Sequence, residues 1–226
     1  MEPANTSLSD FGNQCIQRHS VVVNPDACLM DVLQMMSRVG ETVSNSNTLR
    51  ASCTFVLNNQ QLVGLLTERD LVRLAAQQRN LRTTKVSEVM TRNLITCQEW
   101  EAQEPMKVLK LLRQHRIRHL PNLPIVNEQD QPVGLVTQSS LCSVLQPADL
   151  LKCQYVRQVM AENVIHAPPT DTVLELIQLM DSHYLSCVVI GRAITPGKML
   201  PLGIVTERDI VQFQLLEINF RELQAQ

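Results

Sequence analysis

Thr-Glu-Arg-Asp occurs twice in this chain, as Thr67 to Asp70 within GLLTERDLV and as Thr206 to Asp209 within GIVTERDIV, 139 residues apart. A threonine between an apolar run and a helix sits at the N-cap, and the carboxylate three residues on lies one turn away on the same face. Free N–H groups and the positive end of the helix dipole make that junction friendly to an anion, and a carboxylate suits a ribose cis-diol. Gly64 and Gly203 precede the two threonines; lacking a Cβ, they would let a ligand approach the strand closely. The same spacing is also a capping box, worth about 1 kcal/mol of local stability. A third, degenerate copy bears on the choice: Thr137 opens TQSS, with Ser140 where the aspartate belongs. Capping explains a threonine kept in all three copies, while a site restricted to two of them is the better explanation of the aspartate.

Other chemistry is sparse. His115 and His119 stand at i, i+4 and could share a helical face as metal ligands do, but no third ligand follows in H-E-x-x-H fashion, and a solvated or phosphate-facing pair is the better reading. His19, His166 and His183 are isolated. No nucleophile signature and no GxxxxGK[ST] or GxGxxG phosphate loop occurs, so no catalytic constellation is expected. Seven scattered cysteines, never in C-x-x-C spacing and mostly inside apolar runs, read as small core residues kept reduced in a cytosol. With 20 basic against 22 acidic residues and no Lys/Arg run, the footprint of a nucleic-acid-binding surface is missing. No apolar stretch approaches the roughly 20 residues of a membrane span, so the expectation is a cytoplasmic protein.

The elements that position the TERD motifs come from a longer repeat. QLVGLLTERDL, QPVGLVTQSSL and LPLGIVTERDI align on Gly64, Gly134 and Gly203, spaced by 70 and 69 residues. A second marker trails in phase, since Met90 and Met160 each fall 26 residues after Gly64 and Gly134. In each unit a short apolar strand leads to a helix, two strands follow across a polar turn, and a last helix starts at the threonine, giving β-α-β-β-α. Met30, Met35 and Met36 follow helical spacing with Leu29, Val32 and Leu33 and are expected in the core. A sheet of about three strands with helices on one side is too small to bury its own apolar surface, so each unit should pack against another.

The first and third units share TERD and a Ser-Cys pair before the middle strand, whereas the second has TQSS and RHLP there. The order A-B-A calls for a second B, whose methionine would fall at 229, past the end at Gln226. The expectation is a piece of a longer protein, or a third unit that pairs with another chain.

These features resemble CBS domains, named after cystathionine β-synthase, which occur in tandem as Bateman modules. The resemblance rests on G-h-h-[ST]-x-x-D at 64–70 and 203–209, on Val-Met at 89–90 and 159–160, and on HRIRHLPNLPIV at 115–126. It implies an α/β fold of tandem CBS repeats, each with a small three-stranded sheet, paired by pseudo-two-fold symmetry. Residues 1–14 would be a polar tail, 15–82 repeat 1, 83–150 repeat 2 paired with repeat 1, and 151–226 repeat 3 without its partner. It further implies clefts for AMP, ADP, ATP or S-adenosylmethionine as regulatory ligands, with no cofactor required. Carried over position by position, Thr67, Arg69 and Asp70 would serve one cleft and Thr206, Arg208 and Asp209 another. Thr137, Thr96 or His166 at the first-strand exit, and Arg118 with His119 before the middle strand, complete the set. The function implied is a non-catalytic sensor acting on an output domain or partner; the alternative is a ligand-free homodimerisation module.

Overall fold

The computed structural model describes residues 14–18, 21–38, 53–114, 122–137, 140–141, 155, 157, 160–161, 163–195 and 198–225. β1 (Ile16–Gln17) and β2 (Val21–Val23) precede α1 (Leu29–Arg38), followed by β3 (Cys53–Asn58), β4 (Gln61–Thr67), α2 (Glu68–Ala76) and the single turn α3 (Val86–Val89). The middle stretch carries β5 (Cys97–Gln98), a 3-10 turn at Glu101–Gln103, α4 (Pro105–Gln114), β6 (Asn122–Val126) and β7 (Pro132–Thr137). The last carries β8 (His166–Ala167), α5 (Val173–His183), β9 (Cys187–Thr195), β10 (Lys198–Thr206) and α6 (Glu207–Leu215). This is the mixed α/β architecture expected, with small sheets and six α-helices among the described residues.

The chain divides into two compact units. One takes its described residues from 14–25, 53–65 and 91–157, the other from 26–38, 66–90 and 160–225. The first repeat is thereby split, its sheet in one unit and its helices in the other.

The first unit holds two sheets, ordered β2-β3-β4 and β1-β7-β6-β5. β2 runs parallel to β3, and β5 parallel to β6. Between β3 and β4 the turn residues Asn59 and Gln60 both have positive φ, 49° and 68°, the left-handed pair that a two-residue hairpin needs to follow the strand twist. Cys53, Phe55 and Leu65 of the first sheet and Leu135 of the second form one apolar cluster, so each sheet hides the surface the other cannot cover. The second sheet has four strands rather than three, because Ile16 and Gln17 pair antiparallel to β7. Gly134 makes this possible: a Cβ there would lie 2.5 Å from Ile16 Cγ2 and 2.8 Å from the Gln17 carbonyl oxygen.

The second unit packs α1, α2, α3, α5 and α6 with the third sheet, ordered β10-β9-β8. Val72 and Ala75 of α2 join Leu176, Ile177 and Met180 of α5, Ile210 of α6, and Val188 and Ile190 of β9 in its core. On α1, Leu29, Val32, Leu33 and Met36 are buried as their spacing requires, but Met35 is 46% exposed. At about 100° per residue Met30 and Met35 flank that stripe on opposite sides; Met30 is buried and Met35 faces out, so the assignment of Met35 to the core is corrected.

The first and third repeats each close on themselves. The first-turn N–H groups of Leu29 and Met30 donate to the carbonyls of Thr84 and Leu81, and those of Val173 and Leu174 donate to Leu223 and Phe220. The chain leaving the second helix of a repeat thus supplies acceptors for the exposed donors that begin its first helix.

Candidate functional site

Both TERD motifs begin helices, and both are complete capping boxes. The Thr67 N–H and hydroxyl each donate to Asp70 Oδ2 at 2.9 Å, and the Asp70 N–H donates to Thr67 Oγ1 at 3.3 Å. At the third repeat the Thr206 N–H and hydroxyl donate to Asp209 Oδ2 at 2.8 and 2.7 Å, and the Asp209 N–H donates back at 3.4 Å. The second repeat builds the same box without a carboxylate: the Thr137 N–H donates to Ser140 Oγ at 2.9 Å and the Ser140 N–H to Thr137 Oγ1 at 3.0 Å. Capping therefore accounts for the aspartates as well as the threonines, and the pattern of Asp, Ser, Asp no longer needs a ligand to explain it.

The two carboxylates differ in their second oxygen. Asp70 is 7% exposed, and its Oδ1 accepts from Arg73 at 3.0 Å. Burial raises its pKa above the ordinary value, against the opposing pull of the Thr67 hydrogen bonds and of Arg73 and Arg69. Asp209 is half-buried and has Gln212 where Arg73 stands, so among the described residues its Oδ1 makes no hydrogen bond.

The middle letters of TERD have a different use. Arg69 forms a 3.0 Å ion pair with Glu207, and Arg208 a 3.5 Å pair with Glu68. Each motif's arginine thus reaches the other motif's glutamate, the reciprocity of a two-fold contact. Arg69 also donates to the Tyr184 carbonyl at the end of α5, 3.2 Å away, a favourable place for a cation. Glu207 has its pKa raised chiefly by burial, with Glu68 and Asp70 adding to it and Arg69 opposing.

His166 and Ile204 both pair in register with Val189, so they share one face of the third sheet, with Thr206 two residues further along β10. That face is open: Ile204 is 57% exposed, whereas Leu65, the counterpart of Ile204, is 1% exposed. On the opposite face of the same strand, Gly203 pairs with the core residue Ile190, and a Cβ there would meet nothing within 4 Å, whereas Ile16 fills the corresponding space beside Gly134.

In the second unit the fold therefore brings together Thr67, Arg69, Asp70, Thr206, Arg208 and Asp209, with His166 on the third sheet. In the first unit Thr137 is buried in its capping box and Thr96 is exposed just ahead of β5. Arg118 and His119 lie outside the described residues, as does His115. Among the described residues no cluster of His, Cys, Asp and Glu could hold a metal ion, and no helix is long and apolar enough to cross a membrane. The five described cysteines form no disulfide, and burial with the nearby Glu101 pushes Cys97 up to about 11, which makes it a poor nucleophile at neutral pH.

Comparison with known proteins settles the family. The CBS-domain profile matches residues 9–77, 100–147 and 156–215. The chain belongs to the CBS-domain family. A relative, the uncharacterized protein MJ1404 of Methanocaldococcus jannaschii, is 26% identical over 172 residues, 70% of this chain and 38% of that protein. The inosine-5'-monophosphate dehydrogenase of the same organism is 30% identical over 100 residues, 44% of this chain and 18% of the enzyme. The chain thus spans less than two fifths of the length of these curated relatives. The crystal structure of protein MJ1225 from M. jannaschii superposes with a TM-score of 0.69 at 17% identity, covering 94% of this chain and 81% of that one, which shows a shared CBS fold.

Proposed function

We propose that this chain is a non-catalytic regulatory module whose third repeat binds an adenine nucleotide, AMP, ADP, ATP or S-adenosylmethionine, and passes the change to an output domain or partner. The observation that carries this reading is the contrast at the two TERD junctions: Asp209 keeps an unengaged oxygen beside an open sheet face, while both oxygens of Asp70 are engaged. A ribose diol would donate to Asp209 Oδ1, the base would lie on the apolar face around Ile204, and phosphates would take the cationic and polar groups nearby, Arg208, Thr206 and His166. Arg208 can turn because it is half-exposed and its pair with Glu68 is long, at 3.5 Å. Thr67, Arg69 and Asp70 would then serve chiefly to couple the first repeat to the third, and Thr96, Thr137, Arg118 and His119 would belong to a cleft of the second repeat. The repeats run over 15–82, 83–150 and 151–226, after a tail at 1–14. Ligand can shift the module only by its differential affinity for two states, and the crosswise pairs Arg69–Glu207 and Arg208–Glu68 are the contacts such a shift would work against.

A thermal-shift screen with these four ligands and NAD tests the reading, repeated on Ile204→Glu. The expected result is a ligand-dependent rise in Tm that Ile204→Glu abolishes while leaving the ligand-free Tm nearly unchanged, since Ile204 is 57% exposed; no rise with any ligand, or an unaltered rise in the variant, overturns it.

A second reading is favoured by the exposed Ile204 on the outer face of the third sheet. In the first unit the matching positions Leu65 and Leu135 bury each other across two sheets, so the third sheet would bury its face against a second copy of this chain, with or without nucleotide. Mass measured across a concentration series discriminates: a dimer indifferent to nucleotide supports assembly alone, and a strict monomer at high concentration excludes it.

A further inference from the structure

The second unit has a cleft of about 410 Å3 at the far ends of α2 and α6, away from the TERD junctions. Its lining comes in matched positions from the first and third repeats. Arg82 and Arg221 are 139 residues apart, the spacing of the TERD motifs themselves, and so are Asn80 and Asn219, which precede them. Each asparagine side chain accepts the backbone N–H of its arginine, at 2.9 and 3.1 Å, so the same turn presents both guanidinium groups. The apolar walls are matched too: Leu81 and Phe220 stand at the same spacing, and their carbonyls accept the backbone N–H of Met30 and of Leu174, which also line the cleft.

The two sides differ in charge. Arg82 pairs with Glu217, and Arg79 lies 3.7 Å from Glu88, but Arg221 reaches only the neutral amide of Gln78. Among the described residues Arg221 has no carboxylate partner. The sides also differ on the floor, where Ala75 in the first repeat becomes Gln214 in the third. Gln214 is 6% exposed; its Nε2 donates to the Leu71 carbonyl at 3.2 Å, which fixes the orientation of the amide, and its buried Oε1 has no partner. An uncompensated guanidinium fork beside apolar walls in one cleft of ligand size is an arrangement that an anion with an apolar body completes.

We infer that this cleft binds a small organic anion: one oxyanion held by Arg221, on a body with an apolar face lying against Leu81 and Phe220. The site is separate from the nucleotide reading at Asp209 and stands or falls independently of it.

Calorimetric titration of the full chain with phenyl phosphate, benzoate and inorganic phosphate tests it. Saturable binding is expected for phenyl phosphate or benzoate with Kd below about 1 mM, the tighter of the two naming the oxyanion, and inorganic phosphate is expected to bind at least tenfold more weakly for want of the apolar contact. Arg221→Gln should weaken binding by about tenfold or more, and Arg221→Lys by less, because the charge survives without the bidentate fork. Arg221 is exposed, so an unchanged Tm shows that both variants fold, and Asp209→Asn should leave this affinity alone. Absence of saturation with either aromatic anion up to about 10 mM, or an affinity within about twofold of the parent in Arg221→Gln, overturns the assignment.

Discussion

Asp70→Ala should destabilise the ligand-free protein about twice as much as Asp209→Ala. Each change removes the acceptor of two hydrogen bonds from the N-cap threonine, at 2.9 and 2.9 Å in one case and 2.8 and 2.7 Å in the other. A lost capping interaction costs about 1 kcal/mol. At Asp209 the cost ends there, because the position is half-exposed and water can replace the carboxylate. At Asp70 the truncation also strips Arg73 of its partner at 3.0 Å and leaves the donors in a site where the carboxylate was 7% exposed, adding about 1 kcal/mol more. For a chain of this size the sum corresponds to a fall in Tm of about 4–8 °C for Asp70→Ala against about 2–4 °C for Asp209→Ala. Asp70→Ser should recover most of the loss, since Ser140 supports the same box in the second repeat. Urea midpoints at constant slope, followed by circular dichroism without nucleotide, give the three values; equal losses at the two aspartates, or Asp70→Ser as damaging as Asp70→Ala, would refute the reasoning.

A double-mutant cycle on Arg69→Ala and Glu207→Ala should give a coupling of about 0.5–1 kcal/mol, as for a partly exposed pair, and a coupling indistinguishable from zero would remove the crosswise pair as a stabilising contact. Gly134→Ala should cost about 1–3 kcal/mol because its Cβ would strike Ile16 and the Gln17 backbone, the penalty of overpacking, while Gly203→Ala should stay within about 0.5 kcal/mol; thermal melts of the two variants check the contrast. The folded pKa of Glu207 is raised, so the native state holds that proton more tightly than the unfolded chain. The stability it contributes is present below the ordinary glutamate value and lost as pH rises through the raised folded one. Glu207→Gln, which has no such proton to lose, should therefore gain stability relative to the parent as pH climbs from about 4 to 7, and a gain that shrinks with rising pH would contradict the assignment.

Phased repeats made most of the fold legible. The glycine and methionine markers placed the strand pairs around residues 53–67, 122–137 and 187–206, and the TERD threonines marked the starts of α2 and α6 correctly. Met30 and Met35 flank the apolar stripe of α1 symmetrically, and spacing alone does not say which flank packs. The fourth strand of the second sheet could not be foreseen, since Ile16 and Gln17 pair with residues more than 100 positions away, and nothing local in two residues specifies a distant edge. For the candidate site, the sequence located the aspartates but could not tell a capping carboxylate from a free one. That difference lies in Arg73 against Gln212 and in what covers the neighbouring strand, both matters of tertiary packing. The crosswise use of Glu68, Arg69, Glu207 and Arg208 left a trace, the identity of the two middle letters of TERD, which a purely capping role would not require. The Asn-x-Arg echo at 80–82 and 219–221 stands at the TERD spacing too, past the ends of α2 and α6.

The central claim is that the third repeat, through Asp209, holds the nucleotide. Calorimetric titration of AMP, ADP, ATP and S-adenosylmethionine into the parent chain, Asp209→Asn and Asp70→Asn tests it most directly. Saturable binding of at least one ligand to the parent is expected, with a loss of about tenfold or more in Asp209→Asn and near-parental binding in Asp70→Asn. Binding that survives Asp209→Asn unchanged, or that fails with all four ligands, would contradict it.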